Sequence, residues 1–296
     1  MFDFDAFREI WGTIRKNKMR TALTGFAVAW GIFMLIVLLA SGNGLRNGVM
    51  SNFSGRAVNA VSLYPGWTSR PYGGMPSNRR IRFDDRDYDL IDRLPEREFF
   101  SVSIRKSVTL SYGDEYGNWT LQGVAPDFAE INQIRILPGQ GRFLNQMDID
   151  RCKKVMVLSP EAARVLFKEE DPLGKYVLQG DIAYRVVGIY DGANQFWTTS
   201  VYVPWTTAQR LYKGGYGVDQ IDFTLRQVGT WQENEAFIQR LREKMGKLHT
   251  FDPADRSALW VNNTAGNAIQ TQQIFTLIRL FVLLVGIASL LSLIHI

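Results

Sequence analysis

Few residues in this chain could do covalent or acid–base chemistry. It holds two histidines and one cysteine in 296 residues. A Ser-His-Asp relay needs an imidazole set between a nucleophile and a carboxylate. His249 is the histidine such a relay would use, and no Gly-x-Ser-x-Gly elbow accompanies it. It is read as a solvated residue just past a helix. A zinc site needs three or four imidazole or thiolate donors, so a histidine-rich metal site is excluded. Cys152 has no second cysteine for an internal disulfide and is expected to be a partly buried small residue. A Gly-x-x-x-x-Gly-Lys-[Ser/Thr] phosphate loop is absent. Asp171-Pro172-Leu173-Gly174-Lys175 has the Gly-Lys pair without the glycine spacing or the hydroxyl residue. Gly139-Gln140-Gly141 lacks a third glycine and is read as a turn. Asp84-Asp85-Arg86-Asp87 is salted with arginine and is read as a solvated helix start; a carboxylate pair for acid–base work is not excluded, and nothing in the spacing favours one. These residues predict no catalytic, cofactor-binding or metal-binding positions, and a protein that is not an enzyme.

Charge points the same way. The net charge is +5, and part of that excess sits in the first twenty residues. Asn78-Arg79-Arg80-Ile81-Arg82 is the dense basic cluster outside them and is read as a solvated loop. No basic stripe interleaves with aromatics, so nucleic acid is not an expected partner.

The elements that position these residues are dominated by the run at 21–40, TALTGFAVAWGIFMLIVLLA, which carries no charge. At 1.5 Å per residue a helix of this length spans about 30 Å, the thickness of a bilayer's hydrocarbon core. Arg15, Lys16, Lys18 and Arg20 precede it and the next basic residue is Arg46. The positive-inside rule then sets the N-terminus in the cytoplasm and the chain after Ser41 outside. A cleaved signal peptide is disfavoured, because its apolar core would be shorter. Phe4, Phe7, Ile10, Trp11 and Ile14 recur at 3–4 spacing, so 1–18 is expected as an amphipathic helix lying on membrane lipid. A second apolar run, IFTLIRLFVLLVGIASLL at 274–291, has Arg279 near its outer end, where a long side chain can snorkel. The tail LSLIHI looks like the translated end of a sequencing-library adapter, so His295 is given no role. The expected organisation is a cytoplasmic amphipathic helix at 1–18 and a transmembrane helix at 19–41. An extracytoplasmic core domain with stalk helices follows at 42–272, then the start of a second transmembrane helix at 273–290 and a processing scar at 291–296.

The middle reads as an α+β domain in which strands alternate with helices. Strands are expected at 59–63, 99–111, 119–124, 154–158, 176–179, 184–190, 200–203 and 221–226, with turn chemistry at 113–118. Helices are expected at 84–94, stopped by Pro95, and at 206–211 and 231–244. Ser159-Pro160-Glu161 opens a helix through Phe167, with Ser159 as N-cap and Pro160 at its first position. Residues 42–53 and 263–273 are expected as stalk helices, and 67–77 as a Gly/Pro-rich loop. Tyr64, Trp67 and Tyr72 form a candidate contact surface around that loop.

In this layout several stretches resemble the MacB/FtsX-type ABC transporter permeases. Ile14 to Thr24 (IRKNKMRTALT) is similar to the family's basic approach to its first span, and Ala40-Ser41-Gly42-Asn43-Gly44 to its small-residue exit. Gly123-Val124-Ala125-Pro126-Asp127-Phe128, Gly139-Gln140-Gly141-Arg142-Phe143-Leu144 and Asp148 resemble the core-domain series of that family. So do Val157-Leu158, Leu166-Phe167, Asp171-Pro172-Leu173-Gly174-Lys175 and Val186-Val187-Gly188-Ile189. The resemblance implies a MacB-like periplasmic core domain in the bacterial inner membrane, and a dimer with a second permease copy. It also implies a separate cytoplasmic ATPase subunit that binds the ATP, a periplasmic adaptor protein as a further partner, and a role in export or lipoprotein handling. With four spans in the family, this chain is expected to be a fragment reaching into the second. The rival readings are a membrane-anchored extracytoplasmic sensor and a membrane-anchored periplasmic hydrolase.

Overall fold

The computed structural model describes residues 59–191, 200–227 and 229–294, with Ala57 and short stretches between 18 and 37. The chain divides into two compact units, Met1–Asn52 with Gln270–Ile296, and Phe53–Ile269. In the first unit the described residues between 18 and 37 are all α-helical. Phe26, Trp30 and Phe33 stand outward there at helical spacing, with ring centroids 6.0 and 5.6 Å apart along the row. The expected amphipathic helix and the first stalk lie outside the described residues. Among the described residues no helix is long and apolar enough to cross a membrane. About half of the 21–40 run, and the side chains of 286–296, are not among them.

The second unit is built on a ten-stranded sheet. Its strands are β1 (Ala60–Pro65), β2 (Arg97–Tyr112), β3 (Glu115–Val124), β4 (Ile136–Gly141), β5 (Val155–Leu158), β6 (Tyr176–Gln179), β7 (Ile182–Tyr190), β8 (Ser200–Pro204), β9 (Gln220–Leu225) and β10 (Leu259–Asn263). The order is β10-β1-β9-β2-β3-β8-β5-β7-β4. β6 pairs with both β7 and β2, so the segment β2-β3-β8-β5-β7-β6 closes into a ring. β10, β1 and β9 extend from it as an open antiparallel flap. Closure removes edges from most of the sheet and leaves β10 and β4 as its two ends.

Strand alternation sends side chains into two cores. In β5, Met156 and Leu158 join the main core, while Val155 and Val157 join a second cluster with Val124, Phe128, Leu144, Tyr190 and Tyr202. β8 divides in the same way, Val201 and Val203 to one side and Tyr202 to the other. Burial on both faces is why these strands read as continuous apolar runs.

The helices of this unit are α1 (Asp85–Asp92), α2 (Phe128–Ile131), α3 (Gln146–Asp150), α4 (Pro160–Phe167), α5 (Trp205–Tyr212) and α6 (Trp231–His249). The last helix, α7 (Thr264–Ile294), follows β10 directly. The Ser159 hydroxyl accepts the Ala162 N–H at 3.0 Å, with Pro160 in the first turn, as the sequence requires. α4 then buries Ala162, Ala163, Leu166 and Phe167 in the main core. α6 buries Phe237, Ile238, Leu241 and Met245 at 3–4 spacing, and Phe237 meets Phe223 of β9 edge-on at 6.3 Å. It runs five residues beyond the expected 244, because Met245 and His249 continue the same buried stripe.

Other boundaries differ for local reasons. The turn expected over 113–118 shrinks to Gly113-Asp114, since Tyr112 and Glu115 already pair across β2 and β3. Gly113 takes φ 58°, the left-handed conformation that a two-residue hairpin turn demands. Gly139-Gln140-Gly141 ends strand β4 and is not a free-standing turn. β4, β10, α2 and α3 are short elements that periodicity does not single out.

Candidate functional site

The one histidine set apart for chemistry is not solvated. His249 closes α6, is 9% exposed, and its Nε2 lies 2.7 Å from Oδ1 of Asp87, which is fully buried. Asp87 also accepts the Asp84 N–H at 2.8 Å, completing a capping box at the start of α1. The acidic helix start therefore buries two of its aspartates, Asp84 and Asp87, which corrects its reading as wholly solvated. Among the described residues no hydroxyl or thiol is hydrogen-bonded to His249. The pair fastens the N-terminus of α1 to the C-terminus of α6.

Arg79 is likewise not a solvated loop cation. Its Nη2 donates to the carbonyls of His249 and Thr250 at 2.6 and 2.8 Å. The last carbonyls of a helix have no partner within it, and the guanidinium supplies one. Ile81 beside it is buried. Arg80 and Arg82 are exposed, as the sequence implies.

Two residues of the resemblance, Arg142 and Asp148, meet at a second buried carboxylate. Arg142 grips Asp148 with both terminal nitrogens, at 2.6 and 3.2 Å, and Lys153 approaches at 3.4 Å. Asn145 and Asp148 form the capping box of α3. Burial works to raise the Asp148 carboxyl; the hydrogen bonds from Arg142 and the Asn145 amide outweigh it and hold the group below the ordinary carboxylate value. Gly188 of β7 lies so close that a Cβ there would stand 2.2 Å from the Arg142 carbonyl. The Asp171–Lys175 segment is a turn. Leu173 N–H donates to Asp171 Oδ1 at 3.0 Å, and Lys175 pairs with Glu170 and covers the Tyr112 ring at 5.6 Å. Cys152 is partly buried, as expected.

The surface is more informative. The loop after β1 is a small hairpin. Trp67 bridges Arg80, and Tyr72 and Met75 exchange main-chain hydrogen bonds of 3.1 and 2.9 Å across Gly73-Gly74. Its base is fixed by Thr68, 4% exposed, and by Asp255, which accepts the Ser69 amide and hydroxyl at 2.6 and 2.8 Å. From this braced base Trp67, Tyr72 and Met75 project into solvent, and Trp260, opposite Tyr64 across β1 and β10, is 70% exposed. Tyr64, Trp67 and Tyr72 were singled out by sequence; Trp260 was missed because β10 itself was missed.

The domain is a closed ring with an open flap, braced by buried carboxylates and carrying an exposed aromatic hairpin. The family model of the MacB-like periplasmic core domain matches residues 21–241. The chain belongs to that family. The macrolide export ATP-binding/permease protein MacB 1/2 of Paracoccus denitrificans is 26% identical over 226 residues, covering 75% of this chain and 33% of that protein. The chain spans about a third of the length of the curated relatives it matches. Among solved structures, the periplasmic region of MacB from Actinobacillus actinomycetemcomitans superposes with a TM-score of 0.60 at 21% identity, over 77% of this chain and 97% of that one. The extracellular domain of a noncanonic ABC-type transporter, YknZ, from Gram-positive bacteria gives 0.57 at 18% identity, over 69% and 100%. The likeness to these structures is one of fold.

Proposed function

We propose that this chain forms part of the permease of an ABC transporter of the MacB/FtsX type, held in the bacterial inner membrane with its N-terminus cytoplasmic and Phe53–Ile269 outside. The runs at 21–40 and 274–291 cross the bilayer. A separate cytoplasmic ATPase subunit binds and hydrolyses ATP, a second permease copy completes the pair, and a periplasmic adaptor receives the movement. The work is mechanical, in export or in lipoprotein or peptide handling.

One observation supports a mechanical role above others. β1 and β10 are neighbours, and Val61 pairs with Asn263. Because the two strands are antiparallel, the chain enters the domain and leaves it side by side at one end of the flap. No loop separates β10 from α7: Asn263 is the last residue of the strand, and its side chain accepts the Gly266 N–H at 3.0 Å, capping the helix. Asn263 also hydrogen-bonds Asn234 of α6. A displacement arriving along α7 is delivered to a strand, and through it to α6, with no slack segment between.

The test is to read the gene beyond codon 290 together with its neighbours. Two further apolar spans beside a gene for a phosphate-loop ATPase are expected. A frame without further spans and without a neighbouring ATPase gene contradicts the reading and favours an anchored sensor.

A further inference from the structure

The two ends of the sheet are treated differently. β4 carries Pro138, a left-handed Gly139 and a register shift against β7, the devices that blunt an edge. β10, LWVNN, has no proline, no charge and no register shift against β1. Its alternation is fixed by the Gly66 N–H, which donates to the Ala258 carbonyl at 3.0 Å. On that phase Trp260 and Asn262 share their main-chain bonds with β1, and Leu259, Val261 and Asn263 turn theirs to the open side. Arg242 of α6 confirms the phase, since its Nη1 reaches the Leu259 carbonyl from that side at 2.9 Å. Among the described residues no strand pairs with the outer side of β10.

A groove of about 780 Å³ follows this edge, walled by α6 on one side and β10 on the other. A strand edge beside a helix is the geometry in which an extended peptide adds to a sheet. The charge of the groove says which peptide. Arg242 and Arg256 both line it, and neither makes an ion pair among the described residues; Glu235 is the carboxylate in the same lining. Burial, and then the neighbouring Arg256, depress the Arg242 guanidinium below its ordinary value, so a partly buried cation sits beside an exposed one. An incoming carboxylate gives the partly buried Arg242 a partner and offsets its repulsion with Arg256. Trp260, exposed on the outer face of the same strand, offers apolar area to a side chain of the added segment.

We propose that the groove between α6 and the open edge of β10 receives an extended acidic segment of a partner protein, which adds as a strand to β10 and sets a carboxylate against Arg242 and Arg256. The assignment is independent of any coupling to an ATPase.

The probe is a fluorescein-labelled peptide, Thr-Val-Glu-Val-Thr-Val-Glu, compared with its lysine counterpart, Thr-Val-Lys-Val-Thr-Val-Lys. Both are titrated onto the full chain in detergent micelles, with amide exchange followed at Val261 and Asn263. The acidic peptide is expected to bind about tenfold or more tightly than the basic one and to slow exchange at both amides. Arg256→Glu, an exposed change that leaves the fold intact, is expected to reverse the preference. Val261→Pro, which removes an outward N–H from an edge strand, is expected to abolish binding. Equal affinity for the two peptides, or unchanged binding in Arg256→Glu, overturns the proposal. So does protection of Val261 and Asn263 without peptide that grows with protein concentration, because a second copy then covers the edge.

Discussion

Asp87 and Asp148 occupy the same position in the same local device. Each is the third residue of a short helix, each accepts the amide of its N-cap residue, and each is fully buried. They differ in what completes them. Asp148 takes Arg142, six residues away, whose guanidinium remains 44% exposed. Asp87 takes His249, 162 residues away, which is buried with it. The first is a local clasp that keeps α3 beside β7. The second ties the beginning of the domain to the end of α6, next to the strand that leads into α7. A buried carboxylate at a capping box is thus a fastening point, and the distance to its partner decides how much of the fold it fastens.

The largest effect is expected at the long-range pair. His249→Ala leaves a fully buried carboxylate with only its capping amide, and should lower stability by about 3–5 kcal/mol in urea unfolding of the full chain in detergent. A loss no greater than that of a surface change would break the comparison. Asp148→Asn keeps the shape but weakens charge-assisted bonds to a half-exposed guanidinium, so a smaller loss of about 2 kcal/mol is expected.

Acid sharpens the contrast. The folded Asp148 carboxyl lies below its ordinary value of 3.8, so its stabilisation is complete above that value and is lost as pH falls through the folded one. Asp148→Asn should therefore flatten the stability curve below about pH 4. The smallest effect belongs to the aromatic hairpin. Trp67→Ala and Tyr72→Ala should each stay within about 0.5 kcal/mol of the parent, because the hairpin is held by Thr68, Arg79 and Asp255.

The same comparison shows what was legible. The Arg142–Asp148 clasp lies within seven residues, and the resemblance around Gly141 marked both residues, although not as an ion pair. Ser159 announced α4 because a cap, a proline and an apolar stripe agree within a few residues. Asp87 and His249 could not be joined by any local rule: each alone reads as a polar residue at a helix end. Arg79 failed for the same reason, since its acceptors are 170 residues downstream. β10 was invisible because Leu259 and Val261 alternate over only five residues, and its neighbour β1 supplies the rest of the signal from the far end of the chain. Of the aromatics read as a surface, Trp67 and Tyr72 are exposed and Tyr64 is half-buried in β1.

In the proposed function, ATP bound by a separate subunit moves the extracytoplasmic domain. The direct measurement is the distance between spin labels at Tyr72→Cys in a Cys152→Ser background, with the permease and its ATPase reconstituted in nanodiscs. Distances are read by pulsed electron resonance without nucleotide and with vanadate-trapped ATP. A shift of the whole distribution between the two states is predicted. Superimposable distributions, in a preparation that hydrolyses ATP, would contradict the account.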